Sequence, residues 1–169
     1  TTFLAPLCFG DNAQELSWLN TGGLAPYTSE LIDDNGSVWY GPNSGLNPVS
    51  LYNVLPPGLY TLSVSDMSGC LSTLNIPIIQ PDSLTIDFAS TDVQCYGEND
   101  GSLFANASGG TTGSIYPYNY LWSPGNQTSY NISNLIAGTY SVIVSDANNC
   151  QKLSSYTINE PSELNIDSI

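Results

Sequence analysis

Four cysteines, fifteen Asp and Glu residues and one lysine, Lys152, carry most of the reactive chemistry in this 169-residue chain, which has no histidine and no arginine. Without imidazole there is no neutral-pH base and no Ser/His/Asp or Cys/His nucleophile. Without guanidinium there is no bidentate clamp for phosphate or an oxyanion. Two carboxylates can hydrolyse a glycoside, but no conspicuous catalytic pair stands out, so the chain reads as a non-enzyme. A net charge of −14 rules against neutralising phosphates, which excludes nucleic acid and anionic lipid as partners. Only 9% of the residues are charged while 41% are hydrophobic and 11% aromatic, so the chain is expected to fold. Its apolar runs, such as Ile76 to Ile79 broken by Pro77, are too short to span a bilayer.

The cysteines are placed by an internal repeat. Cys8-Phe9-Gly10-Asp11-Asn12 returns as Cys95-Tyr96-Gly97-Glu98-Asn99, Gly22-Gly23 as Gly109-Gly110, and Pro26-Tyr27 as Pro117-Tyr118. Leu55, Gly58, Tyr60, Val64, Ser65, Asp66 and Cys70 return as Leu135, Gly138, Tyr140, Val144, Ser145, Asp146 and Cys150, and Leu84-Thr85-Ile86-Asp87 returns as Leu164-Asn165-Ile166-Asp167. Two domains follow, 1–83 and 84–169, with 164–169 beginning the lead-in to a further copy. Thr1 falls opposite Phe88, so the sequence starts and stops at one phase of the repeat, the pattern expected of an excerpt from a longer tandem array or of a unit that continues into a neighbour. One cysteine pair per repeat makes Cys8 with Cys70 and Cys95 with Cys150 the most economical of three connectivities. Persistent disulfides in turn point to an oxidising, extracellular setting.

The elements that hold these residues read as strands. Tyr140, Val142 and Val144 alternate with Thr139 and Ser141, Tyr60, Leu62 and Val64 repeat the pattern, and no helical period spans a helix-length window. One buried face per strand calls for two packed antiparallel sheets in each repeat, an all-β immunoglobulin-like sandwich. Leu55-x-x-Gly58-x-Tyr60 and Leu135-x-x-Gly138-x-Tyr140 have the form of a tyrosine corner, with both tyrosines serving the fold. Trp18 aligns with Ala105 and Leu31 with Trp122, which predicts a volume-compensating swap across the core.

Repeat 1 carries an excess of 11 residues between Pro26 and Tyr60, placed near 31–41, where Asn35-Gly36 predicts a type I′ hairpin. That ribbon presents Trp39 and Tyr40 as a candidate contact surface, or else lays them over their own core. A carbohydrate-binding module is the rival function, with Trp39, Tyr40, Tyr116 and Tyr120 as a stacking platform. Acidic loops at Asp11-Asn12 and Glu98-Asn99-Asp100, with Asp66 and Asp146, carry oxygen ligands of the kind Ca²⁺ takes, yet lack EF-hand spacing. They are read first as turn and cap residues, and no cofactor is assigned. Asp82-Ser83-Leu84 and Asp167-Ser168-Ile169 fit a short acceptor pattern for O-glycans.

The run Cys95 to Gly101, Gly109-Gly110, Pro117 to Ser123, Ile132 to Tyr140, Val144 to Cys150 and Pro161 resembles the SprB repeat of long cell-surface adhesins in gliding Bacteroidetes. Repeat 1 resembles it less closely, because it lacks the Asp-Gly after Asn12. The resemblance implies export, a place in an adhesin stalk or extracellular filament, and neighbouring repeats or surface polysaccharide as partners.

Overall fold

The computed structural model describes residues 1–45, 47–113 and 117–166. The chain divides into two compact units, Thr1–Pro81 and Asp82–Ile169. All regular structure among the described residues is strand, and every pairing is antiparallel.

In unit 1, β1 (Thr2–Leu4), β2 (Glu15–Trp18) and β5 (Val49–Tyr52) form a sheet in the order β1-β2-β5. A second sheet runs β4-β3-β6-β7, from β3 (Thr28–Asp33), β4 (Val38–Ser44), β6 (Gly58–Ser65) and β7 (Leu71–Ile78). Leu16, Trp18 and Val49 from the first sheet and Leu31, Tyr60, Leu62, Ile76 and Ile78 from the second share one buried core. Alternation is the cause, since a pleated strand sends successive side chains to opposite faces.

Unit 2 repeats this plan. Strands β8 (Thr85–Thr91), β9 (Gly101–Ser108) and β11 (Asn131–Leu135) form the sheet β11-β9-β8, opposite β10 (Asn119–Ser123), β12 (Gly138–Ser145) and β13 (Gln151–Ile158) in the order β10-β12-β13. Along β12, Tyr140, Val142 and Val144 are buried and Ser141 and Ile143 between them are partly exposed, as their alternation predicted. Trp18 on β2 and Trp122 on β10 are both core residues, so each unit buries one indole, contributed by a different strand in each. The Trp122 indole N–H donates to the Ser129 carbonyl at 2.9 Å, whereas the buried Trp18 indole N–H has no partner among the described residues.

The extra residues of repeat 1 form β4, an added edge strand paired with β3 that has no counterpart among the described residues of unit 2. Its turn differs from the type I′ expectation. Gly36 has φ of +82°, but Asn35 is not left-handed, and the Gly36 N–H donates to the Asp33 carbonyl. The Asp33 carboxylate accepts from the N–H groups of Asn35 and Ser37, which favours a type I turn followed by a left-handed glycine.

The expected disulfide within each repeat is not made. Cys70 and Cys95 are free thiols, while Cys8 and Cys150 are disulfide-bonded. Geometry gives the reason. Cys70 immediately precedes β7, whereas the Cys8 loop is fastened beyond the other end of that strand by Gly10 N–H donating to Gln80 Oε1 at 2.7 Å. Eight extended residues separate the two ends by about 26 Å, and a disulfide requires Cα atoms within about 7 Å. Unit 2 repeats the separation: Cys150 precedes β13, and the Cys95 loop is held past its far end by Gly97 N–H donating to Glu160 Oε2 at 2.7 Å.

Candidate functional site

The residues shared by the two repeats collect at the two ends of each unit. At one end the β6–β7 turn of unit 1 is built on a single carboxylate. Asp66 Oδ1 accepts from Ser68 N–H, Ser68 Oγ and Cys70 N–H at 2.7–2.9 Å, and Oδ2 accepts from Leu24 N–H at 3.0 Å. A backbone bond from Met67 N–H to the Leu24 carbonyl runs beside it. Asp66 therefore clasps its hairpin to the Gly22-Gly23 loop, and the Tyr27 hydroxyl donates to the Gly22 carbonyl at 2.6 Å.

The clasp recurs in unit 2. Asp146 Oδ1 accepts from Asn148 and Cys150 N–H groups, both at 2.9 Å, and Oδ2 accepts from Thr111 N–H at 2.8 Å. The Ala147 N–H bonds to the Thr111 carbonyl, and the Tyr118 hydroxyl to Gly109. Asp146 is 1% exposed, so its charge is held by oriented N–H dipoles in place of water.

Glycine is required at the centre of both clasps. Gly23 and Gly110 share φ of +63°, and an added Cβ would stand 2.7 Å from Asp66 Oδ2 and 2.6 Å from Asp146 Oδ2. The hydrogen bond from Ser68, reinforced by the Leu24 and Cys70 N–H groups, lowers the Asp66 carboxyl to a pKa of about 2.

At the opposite end the Tyr60 hydroxyl donates to the Pro56 carbonyl at 2.8 Å, and that of Tyr140 to Ile136 at 3.1 Å. These bonds have the upstream direction of a tyrosine corner. Burial, followed by the charges of Asp33 and Asp34, raises the Tyr60 pKa. Beside each corner lies a cysteine loop, with Asp11 N–H bonded to the Cys8 carbonyl and Glu98 N–H to the Cys95 carbonyl.

The other candidates are placed as follows. Trp39 keeps 37% of its surface exposed, donates its indole N–H to Asp33 Oδ2 at 2.9 Å and meets the Tyr60 ring edge-on at 6.1 Å. Tyr40 packs edge-on against Trp18 at 5.3 Å with its hydroxyl buried and, among the described residues, without a partner. The ribbon thus lies over its own unit. Tyr120 packs against the unit 2 core, and Tyr116 and Asp167-Ser168-Ile169 fall outside the described residues or extend beyond them. Of the proposed oxygen ligands, Asp11 bonds Cys8 N–H and Asp100 bonds Gln94 N–H, while Asp66 and Asp146 hold the clasps. Among the described residues no three His, Cys, Asp or Glu side chains group as a metal site, and no helix is long and apolar enough to cross a membrane.

Unit 1 also has a cleft of about 330 Å³, lined by Trp18, Gly22, Gly23, Leu62, Cys70 and Leu74 among others. Sequence reading missed it, along with the long-range role of the two aspartates.

Residues 88–127 match the family model described as the SprB repeat, in agreement with the resemblance of repeat 2. No curated protein matches. Among solved structures, the chain is similar to the three N-terminal domains of the Highly Immunogenic Outer Capsid protein (Hoc) of bacteriophage RB49, at 17% identity and TM-score 0.46. That match covers 93% of this chain and 59% of the Hoc chain, so the chain spans under two thirds of it. The amphioxus IgVJ-C2 molecule is similar at 13% identity and TM-score 0.35, covering 87% of this chain and 97% of that one. Murine CEACAM1b is similar at 13% identity and TM-score 0.36, with coverages of 95% and 99%.

Proposed function

We propose that this chain is a non-enzymatic, structural and adhesive repeat module of a secreted bacterial cell-surface adhesin or extracellular filament of the SprB type. Each repeat is then an immunoglobulin-like sandwich whose partners are neighbouring repeats and surface polysaccharide. Gliding belongs to the whole adhesin in such a system, and Bacteroidetes are the expected source. The observation that carries this reading is the clasp. Two units with different cores spend the same Gly-Gly, Tyr and Asp residues on fastening a hairpin to a loop, which suits a module selected to stay folded outside the cell. The match of residues 88–127 to the SprB repeat supports the surface setting.

The test is to pull the chain between flanking marker domains in a force spectrometer while a duplicate sample is challenged with protease. A mechanical module gives a discrete unfolding event for each repeat and resists cleavage while folded. Extension without such events, or turnover of a glycoside panel by the purified chain, refutes the reading.

A further inference from the structure

The two repeats form an internal comparison across one sheet face. In unit 2, β10 and β12 turn Trp122, Val142 and Val144 into the core, and the pleat sends the residues between them outward. Register then lines up Leu121, Ile143 and Leu153 across the three strands, with Leu121 opposite Ile143 and Ile143 opposite Leu153. Residues directly opposite each other in a sheet have Cβ atoms about 4.5–5.5 Å apart, so these three side chains make one continuous apolar band. Leu121 is 46% exposed and Leu153 65%, and Ile143 between them is partly exposed.

The rest of that face carries no charge. Every other outward position on β10, β12 and β13 is Ser, Thr, Asn or Gln, as in the row Ser123–Ser141–Ser155 and in the Thr139–Thr157 pair, whose hydroxyls lie 3.0 Å apart. Lys152 stands opposite the buried Val144 and so belongs to the other side of the sheet. In a chain of net charge −14, a whole sheet face without a carboxylate is a distinct electrostatic surface.

Unit 1 shows that the sandwich does not need the band. The same three positions, joined by the same register, are Glu30, Ser63 and Thr73. The outward apolar residues of that sheet, Ile32, Leu59 and Leu71, fall in three different rows and make no band. Internal packing therefore gives no reason for the apolar row of unit 2, and a contiguous exposed apolar patch rimmed by polar residues marks a place where another surface sits.

We propose that the β10-β12-β13 face of unit 2 pairs with the same face of a second copy of this chain, the Leu121–Ile143–Leu153 band of one copy lying on that of the other. Charge selects this occupant. Two copies that meet through surfaces bearing carboxylates set like charges against each other, whereas this face brings none, and a cationic partner finds no anion on it. The band has no aromatic ring on which a sugar would stack. Two such sheets pack face to face about 10 Å apart. The contact is isologous and closes as a two-fold dimer, and a three-stranded face is small enough to place it in the weak, reversible class. Glu30 keeps the equivalent face of unit 1 out of such a contact, because pairing it would bury an unpaired carboxylate from each copy. The inference rests on the structural-module reading for its purpose, side-by-side pairing of chains, but not for the contact itself.

The full chain, with Cys70 and Cys95 alkylated to prevent covalent linkage, is sedimented from about 10 μM to about 1 mM, a range that covers weak association. A monomer–dimer equilibrium is expected. It should strengthen as ionic strength rises from about 0.01 M to about 0.15 M, because salt screens the repulsion between the acidic remainders of the two copies. Methyl NMR over the same series should show concentration-dependent shifts at Leu121, Ile143 and Leu153. The triple variant Leu121→Glu, Ile143→Ser, Leu153→Thr gives unit 2 the row that unit 1 already folds with, and should weaken the dimer at least about tenfold while its amide exchange stays that of a folded unit. Leu153→Asp alone should weaken it in the same direction. A monomer throughout the series, a dimer indifferent to the triple variant, or shifts confined to other methyl groups would each overturn the proposal. A monomer that still unfolds in one discrete event per repeat under force overturns this pairing and leaves the structural-module reading intact.

Discussion

Replacing Asp146 with alanine removes the acceptor for three backbone N–H groups, those of Thr111, Asn148 and Cys150, at a residue that is 1% exposed. A hydrogen bond to a charged group contributes about 1.5–3 kcal/mol, and a buried donor left without a partner costs about 1–3 kcal/mol. Water entering the space vacated by the carboxylate recovers part of this. The expected loss for unit 2 is therefore about 3–5 kcal/mol, a large share of a small domain's stability. Asp146→Asn keeps one acceptor oxygen and should cost less, about 1–2 kcal/mol. Native-state amide exchange is the assay, because it resolves each donor. Thr111, Asn148 and Cys150 should lose protection together in Asp146→Ala, and the opening free energy of the β12 core should fall with them. A loss below about 1 kcal/mol with those three amides still protected would refute the clasp as a source of stability. The corresponding Asp66→Ala change should have a smaller effect on unit 1, where the carboxylate is only partly buried.

Two further outcomes follow from the same geometry. Gly110→Ala places a Cβ 2.6 Å from Asp146 Oδ2 at φ of +63° and should destabilise unit 2 by about 1–3 kcal/mol in urea unfolding, whereas Gly36→Ala meets no atom within 4 Å and should cost less. The Asp66 pKa is lowered from its ordinary 3.8 to about 2 in the folded chain. Its stabilising effect is thus fully present above pH 3.8 and lost as pH falls through about 2, so the Leu24, Ser68 and Cys70 amides should stay protected at pH 4 and lose protection near pH 2.

Much of the fold is legible because its signals are local. Tyr140, Val142 and Val144 alternate within a single strand, and Leu55, Gly58 and Tyr60 fit within one corner, so six residues suffice to read each. The clasps resist such reading because Asp66 and Asp146 are 42 and 35 residues from the Leu24 and Thr111 amides they hold. The near donors, at Ser68 and Cys70 and at Asn148 and Cys150, belong to an ordinary turn, and only the distant amide turns that turn into a clasp. The cysteines mislead for a related reason: their equivalent positions reveal the repeat, but not that a whole strand lies between loop and hairpin. The turn at Asn35-Gly36 was decided by the neighbouring Asp33 carboxylate, which overrides the dipeptide's own preference.

The state of the four cysteines, free at Cys70 and Cys95 and oxidised at Cys8 and Cys150, can be measured directly. Alkylating the native chain, then digesting it without reduction and mapping linked peptides by mass, should show Cys70 and Cys95 alkylated and Cys8 and Cys150 protected. A Cys8–Cys70 or Cys95–Cys150 linked peptide would contradict the account.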